Sequence, residues 1–208
     1  MDKPLLRVVT DIVIAKIIDK KLHILLTQRS TTPHKGKWCL PWWFMQLQET
    51  AEQTAMRILK KETGITQAYL EQFHVFSWIT RDPRRRAIGI WFIWILTTNQ
   101  EVLPGDTQEK SMFIPIKQLP YLVFDHKEVV EMAYQRLIAW VENWTLIKYF
   151  LPKIFTLSQL QQIYETVLQR DYEKRNFRRI IKKDRHIKPS KSKEKNVAHR
   201  PANLYRYN

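Results

Sequence analysis

The sequence predicts a mixed α/β domain followed by a smaller basic domain built from two helices and a closing pair of strands. Three observations carry this. Strand-like runs and helix-like stripes alternate through the first 150 residues. After Leu151-Pro152 the pattern turns purely helical. The charge changes at the same place: residues 1–150 hold 20 basic and 15 acidic groups, and residues 151–208 hold 15 and 5. Of the formal net charge of +15, the last quarter of the chain thus carries two thirds. Such asymmetry points to a polyanion partner, the alternative being a solvated basic tail. The expected domains are residues 1–148 and 149–208.

Composition narrows the class. Apolar residues make up 44% and aromatics 12% of the 208 residues, enough to bury a core. A single cysteine excludes a disulfide framework and a multi-cysteine zinc site. The longest apolar run, Ala87–Leu96, is ten residues, half of the roughly 20 that a membrane-spanning helix needs. No secretory signal is read at the N-terminus. A cytoplasmic protein with no membrane association is expected.

Arg7–Ile18 and 22–28 read as strands around the turn Asp19-Lys20-Lys21, and 30–37 as a loop rich in Pro, Gly and Ser/Thr. Residues 49–63 read as a helix. Ala51, Ala55, Met56 and Leu59 share one face, and Gly64 ends it. Residues 69–80 and Ala87–Leu96 read as strands joined by the cationic loop Arg81-Asp82-Pro83-Arg84-Arg85-Arg86, and 111–116 as a further strand. Asp125 suits the N-cap of a helix over 126–142, with Val129, Val130, Ala133, Leu137 and Trp140 on one side.

In the basic part, Thr156 caps a helix whose apolar stripe is Leu157, Leu160, Ile163, Tyr164 and Val167. The turn Gln169-Arg170-Asp171 leads to a second helix over 172–183, with Phe177, Ile180 and Ile181 inward and Lys174, Arg175, Asn176, Arg178, Arg179, Lys182 and Lys183 outward. Residues 188–198 are too polar to fold alone, and Leu204, Tyr205 and Tyr207 suit a closing strand. This is the layout of a winged helix-turn-helix. Arginine and lysine on the second helix supply bidentate donors for guanine and point charges for phosphates. Asn176 suits adenine or packs its own helix, and Arg200 and Arg206 lie on or near the wing. The candidate DNA-binding residues are therefore Lys174, Arg175, Asn176, Arg178, Arg179, Arg200 and Arg206.

Residues 43–65 resemble the Nudix box, G-x5-E-x7-R-E-U-x-E-E-x-G-U with U apolar. The register places Glu49, Arg57, Leu59, Glu62, Gly64 and Ile65, and Trp38-Cys39-Leu40-Pro41 matches the usual lead-in. The resemblance implies a Nudix-like α/β sandwich. Three positions depart from it: the opening glycine is Trp43, and two glutamates are Ile58 and Lys61. In Nudix hydrolases those carboxylates hold Mg²⁺ against a diphosphate. Mg²⁺ needs hard oxygen ligands. Ile58 offers none, and an ammonium about 4 Å from a dication opposes it by several kcal/mol at an effective dielectric of about 20. No metal, cofactor or catalytic residue is expected, with hydrolysis weak or absent. Arg57 suits pairing with a box carboxylate. Lys61 either replaces the cation for an anionic ligand or points into water.

The C-terminal stretches 151–161, 171–179 and 200–207 resemble the winged-helix half of Nudix-related transcriptional regulators of the NrtR type. The resemblance implies a repressor. A degenerate Nudix domain senses a metabolite, ADP-ribose or a pentose sugar, and a homodimer binds a palindromic operator of NAD-synthesis or sugar-utilisation genes. The loop at 81–86 matches an Arg-Asp-Pro-Arg-x-Arg segment of that family. Its arginines suit phosphate or ribose, and would equally serve DNA, a dimer contact or solvent. The expected effector residues are Arg81, Arg84, Arg86, Trp43, Arg57, Lys61 and Glu62. The rival readings are a hydrolase of ADP-ribose or a related nucleoside diphosphate derivative, and a non-specific nucleic-acid-binding module. Trp42 and Trp43 are candidates to stack on a base or to fill the emptied metal site. His34, His74 and His126 show no ligand spacing, and Cys39 reads as a buried apolar residue.

Overall fold

The structure, a computed structural model, describes residues 6–66, 68, 70–82, 84–96, 110–143, 147–194 and 201–207. Its first part is a mixed sheet. The strands are β1 (Arg7–Ile18), β2 (Lys21–Gln28), β3 (Trp38–Cys39), β4 (Trp42–Phe44), β5 (Glu71–Phe76), β6 (Ala87–Leu96) and β7 (Ser111–Pro115), in the order β3-β2-β1-β6-β5, with β4 on β1 and β7 on β2. β1 and β6 run parallel over Arg7 to Lys16, and the other pairings are antiparallel.

This sheet is covered on both faces, and strand periodicity decides which residue goes where. Val13, Ala15, Trp91, Ile93 and Ile95 join the cluster under helix α2 (His126–Glu142). Their alternates Ile12, Ile14, Phe92, Trp94 and Leu96 join the cluster under helix α1 (Ala51–Thr63). A strand buried on both faces reads as an unbroken apolar run, as β6 does. α1 starts on a reciprocal capping box between Thr50 and Gln53 and stops at Gly64, whose φ of 73° suits a residue without Cβ.

The second part holds β8 (Ile154–Thr156), α3 (Leu157–Leu168), α4 (Lys174–Ile181), β9 (Ile187–Lys193) and β10 (Asn203–Tyr207), the strands forming a sheet in the order β8-β10-β9. Thr156 and Gln159 form the capping box of α3, and Gln169 ends it in a left-handed conformation. Phe177 packs its ring against Tyr164 and Tyr172, at 5.3 and 5.8 Å, which seats α4 on α3. The two parts share apolar contact: one cluster runs from Val13 and Ile24 through Leu137 to Leu160, Phe177 and Ile187. Tyr134 on α2 donates its hydroxyl to the Val167 carbonyl at 2.8 Å.

Several expectations are corrected. Ile180 is exposed at 41%, because Phe177 and Ile181 alone face α3. Asp125 stands at the N-cap of α2 but makes no capping hydrogen bond. Its carboxylate is drawn to Arg81. The second helix begins at Lys174, not 172, because Glu173 caps it, accepting from the Arg175 and Asn176 amides. Part of the polar stretch after 187 is a strand, supported by its ladder with β10.

Candidate functional site

The box forms a pocket on the α1 face. Its wall includes Trp42, Trp43, Arg57, Ile58, Lys61 and Glu62 from the box segment, and Thr27, Arg29, Ser30 and Thr31 opposite, around a cavity of about 60 Å³. Four of the expected effector residues, Trp43, Arg57, Lys61 and Glu62, thus come together. Lys61 Nζ stands 4.4 Å from the centre of the half-exposed Trp43 ring, a cation–π contact. Arg57 grips Glu49 through two bonds, Nε to Oε1 at 2.7 Å and Nη2 to Oε2 at 2.6 Å. Those bonds hold the Glu49 carboxyl down to about 2. Glu62 is 7% exposed and accepts from the Ser111 hydroxyl at 3.0 Å.

These donors do not fit the divalent cation that a Nudix box implies. Ile58 is buried among Ile12, Ile14 and Phe92, and Lys61 brings a positive charge. Glu49 is engaged by Arg57. Among the described residues, no group of three His, Cys, Asp or Glu side chains is arranged to hold a metal.

A second cluster lies on the α2 face, and sequence reasoning missed it. The structure divides the arginine loop that the sequence reading treats as one anion-binding set. Arg81 is 8% exposed and turns inward, with Nε 2.9 Å from Asp125 Oδ2 and Nη2 3.5 Å from Asp11 Oδ2. Burial explains the turn: Asp11 and Asp125 are buried carboxylates, and a buried charge needs a partner. A Cβ on Gly89 would collide with this guanidinium, so the glycine in β6 is the space Arg81 occupies. Arg84 is bidentate on Asp82, at 2.9 and 2.7 Å. Arg86 is half-buried beside them, its carbonyl accepting the Arg7 amide. Arg81, Arg84, Trp42, Phe124 and His126 edge a small adjoining cleft.

His126 completes the cluster. Its Nδ1 accepts the Leu40 amide at 2.9 Å, and its Nε2 is 3.9 Å from Asp11 Oδ1. Burial holds its pKa down to about 3, against burial pushing Asp11 up to about 7. The signs oppose. For His126, stability present above pH 6.5 is lost as pH falls towards 3. For Asp11, stability present below pH 3.8 is lost as pH rises to about 7. Asp11→Asn removes the second contribution. Its Tm should therefore fall more steeply than that of the parent protein between pH 7 and about 4, by roughly several degrees. Parallel Tm curves in a thermal melt series would sink this assignment.

The third surface is α4. Lys174, Arg175, Asn176, Arg178 and Arg179 line one open face with Lys182 and Lys183, as the sequence reading places them. Arg179 Nη2 donates to Asn176 Oδ1 at 2.8 Å, so these two form one unit. Arg206 is exposed on β10, opposite Lys188 of β9. Arg200 lies outside the described residues. Another cleft that the sequence did not reveal, of about 330 Å³, lies between the β1–β2 turn and the end of α3, lined by Lys20, Lys21, Lys117 and Arg170 among others.

Comparison with known proteins adds the following. Residues 8–133 match the NUDIX domain, and residues 147–207 match the NrtR DNA-binding winged helix domain. The chain is 31% identical over 210 residues, 99% of its length and 84% of the relative's, to the ADPR responsive transcriptional repressor NtrR of Acinetobacter baylyi. It superposes with a TM-score of 0.80 on Shewanella oneidensis NrtR crystallised with a 27mer DNA, at 27% identity, covering 97% of this chain and 93% of that one. The NUDIX domain of the same Shewanella protein, crystallised with ADP ribose, gives a TM-score of 0.57 at 29% identity, covering 66% and 90%.

Proposed function

This chain belongs to the NrtR family of Nudix regulators, and from that premise we propose that it is an ADP-ribose-responsive transcriptional repressor. Residues 1–148 sense the metabolite. Residues 149–208 bind a palindromic operator, as a homodimer acting in the cytoplasm. The observation that carries the reading is α4: five cationic or amide side chains stand on the outer side of the second helix of a winged fold, with Lys182 and Lys183 just past its end, backed by a buried Phe177. That is how a major-groove reading helix is presented. The Acinetobacter relative named for its response to ADPR, and the Shewanella domain crystallised with ADP ribose, favour that effector over a pentose.

The coupling follows from the packing. Asp125, at the N-cap of α2, holds Arg81 in the first domain, and Tyr134 of α2 reaches Val167 on α3. A ligand that binds one setting of α2 better shifts the population to that setting. Dimeric half-sites must match about one turn of DNA, so a small rotation of the two reading helices changes affinity. The domain is not a hydrolase in this reading, since the box keeps too few oxygen donors to place a divalent ion.

Selection from a random duplex pool with the full chain should enrich a palindromic sequence, and ADP-ribose should change affinity for it. With ADP-ribose and Mg²⁺ the protein should form no AMP. Rapid AMP formation together with no enriched palindrome would replace this reading with the hydrolase.

A further inference from the structure

We infer that the box pocket binds the diphosphate of its ligand without a divalent cation, the Lys61 ammonium supplying the positive charge. The inference rests on the ADP-ribose reading and specifies how that site works.

The first observation is that the missing carboxylate cannot be recovered by rearrangement. Ile58 is 3% exposed and packs in the core under α1. The second is that Lys61 does not simply trail into water. It lines the pocket, half-buried, with Nζ held over the Trp43 ring. An ammonium so placed has lost part of its side-chain freedom before any ligand arrives, and a preorganised donor binds an anion more tightly. The third is the charge around the cavity. Arg57 and Glu49 neutralise one another. Arg29 also lines the pocket, donating to the Pro33 carbonyl at 2.8 Å with its guanidinium beside Trp42 and Phe124. Glu62 is turned to Ser111.

Lys61 and Arg29 therefore outweigh Glu62 among the lining charges, and Ser30 and Thr31 bring hydroxyls to the same pocket, that of Thr27 being taken by Cys39 Sγ. Phosphate oxygens only accept hydrogen bonds, and this wall is rich in donors. A dication placed beside the Lys61 ammonium meets repulsion instead. The cavity of about 60 Å³ has room for a phosphoryl group.

The test is isothermal titration of the full chain with ADP-ribose, once in EDTA and once in Mg²⁺. Equal affinity within about twofold is expected. Lys61→Gln should weaken binding about tenfold or more in EDTA, and Lys61→Arg should keep most of it. Wild-type binding that strictly requires Mg²⁺ overturns the inference while leaving the ADP-ribose reading intact. So does Lys61→Gln binding at wild-type affinity in EDTA. No ADP-ribose binding in either buffer overturns the ADP-ribose reading itself, and this inference with it.

Discussion

Arg81→Ala is expected to destabilise the protein by about 3–5 kcal/mol at pH 8, the usual cost of stripping the partner from a buried charge. Against a total stability of roughly 5–15 kcal/mol, that is a large fraction. The reason is specific to the cluster: one guanidinium serves two buried carboxylates, Asp11 and Asp125, and among the described residues no other lysine or arginine pairs with them. Burial already raises the pKa of both acids. A proton can therefore take the place of the missing guanidinium as pH falls, and the loss should shrink at pH 5.5. Urea unfolding at the two pH values measures it. An equal loss at both would mean that Arg81 acts through packing against Trp91 rather than through charge.

The second large effect concerns DNA. Arg178→Ala and Arg179→Ala should each weaken operator binding about 10- to 100-fold, on the order of 1–3 kcal/mol. Fluorescence anisotropy at fixed moderate salt, with operator and random duplexes side by side, separates two roles. An arginine that reads a base loses the preference for operator. One that meets phosphate weakens both duplexes and lowers the salt slope by about one. Arg179→Ala also frees the Asn176 carbonyl that it holds, so it should perturb specificity more than Arg178→Ala does. Unchanged affinity in both variants would mean that α4 is not the reading helix.

How much was legible in the sequence depends on how local the cause is. The helices α2 and α3 were readable because their stripes and the Thr156 cap lie within a few residues of one another. β1 and β6 were readable because burial on both faces leaves a long apolar run. The short strands β3, β4 and β8 were missed: two or three residues carry no periodicity, and their partners lie far along the chain. The first strand of the wing, β9, could be expected from the layout but not placed, because its residues are polar and its stability comes from β10.

The candidate site divides in the same way. Trp43, Arg57, Lys61 and Glu62 could be grouped from the box register alone. The Arg81 cluster could not. It joins residues 11, 81, 125 and 126, and only the parity of Asp11 within β1, an acid at an inward position, hinted at it. The same long-range pull explains Asp125, which has the identity of a helix cap and the duties of a counterion.

The unbroken apolar seam from Val13 through Leu137 to Phe177 has a further meaning. The two halves stand on one foundation, so they are expected to unfold together, as a single transition in calorimetry. Whatever stabilises one half then also steadies α4 in the other. An exchange of one half for another would have to rebuild that shared floor as well.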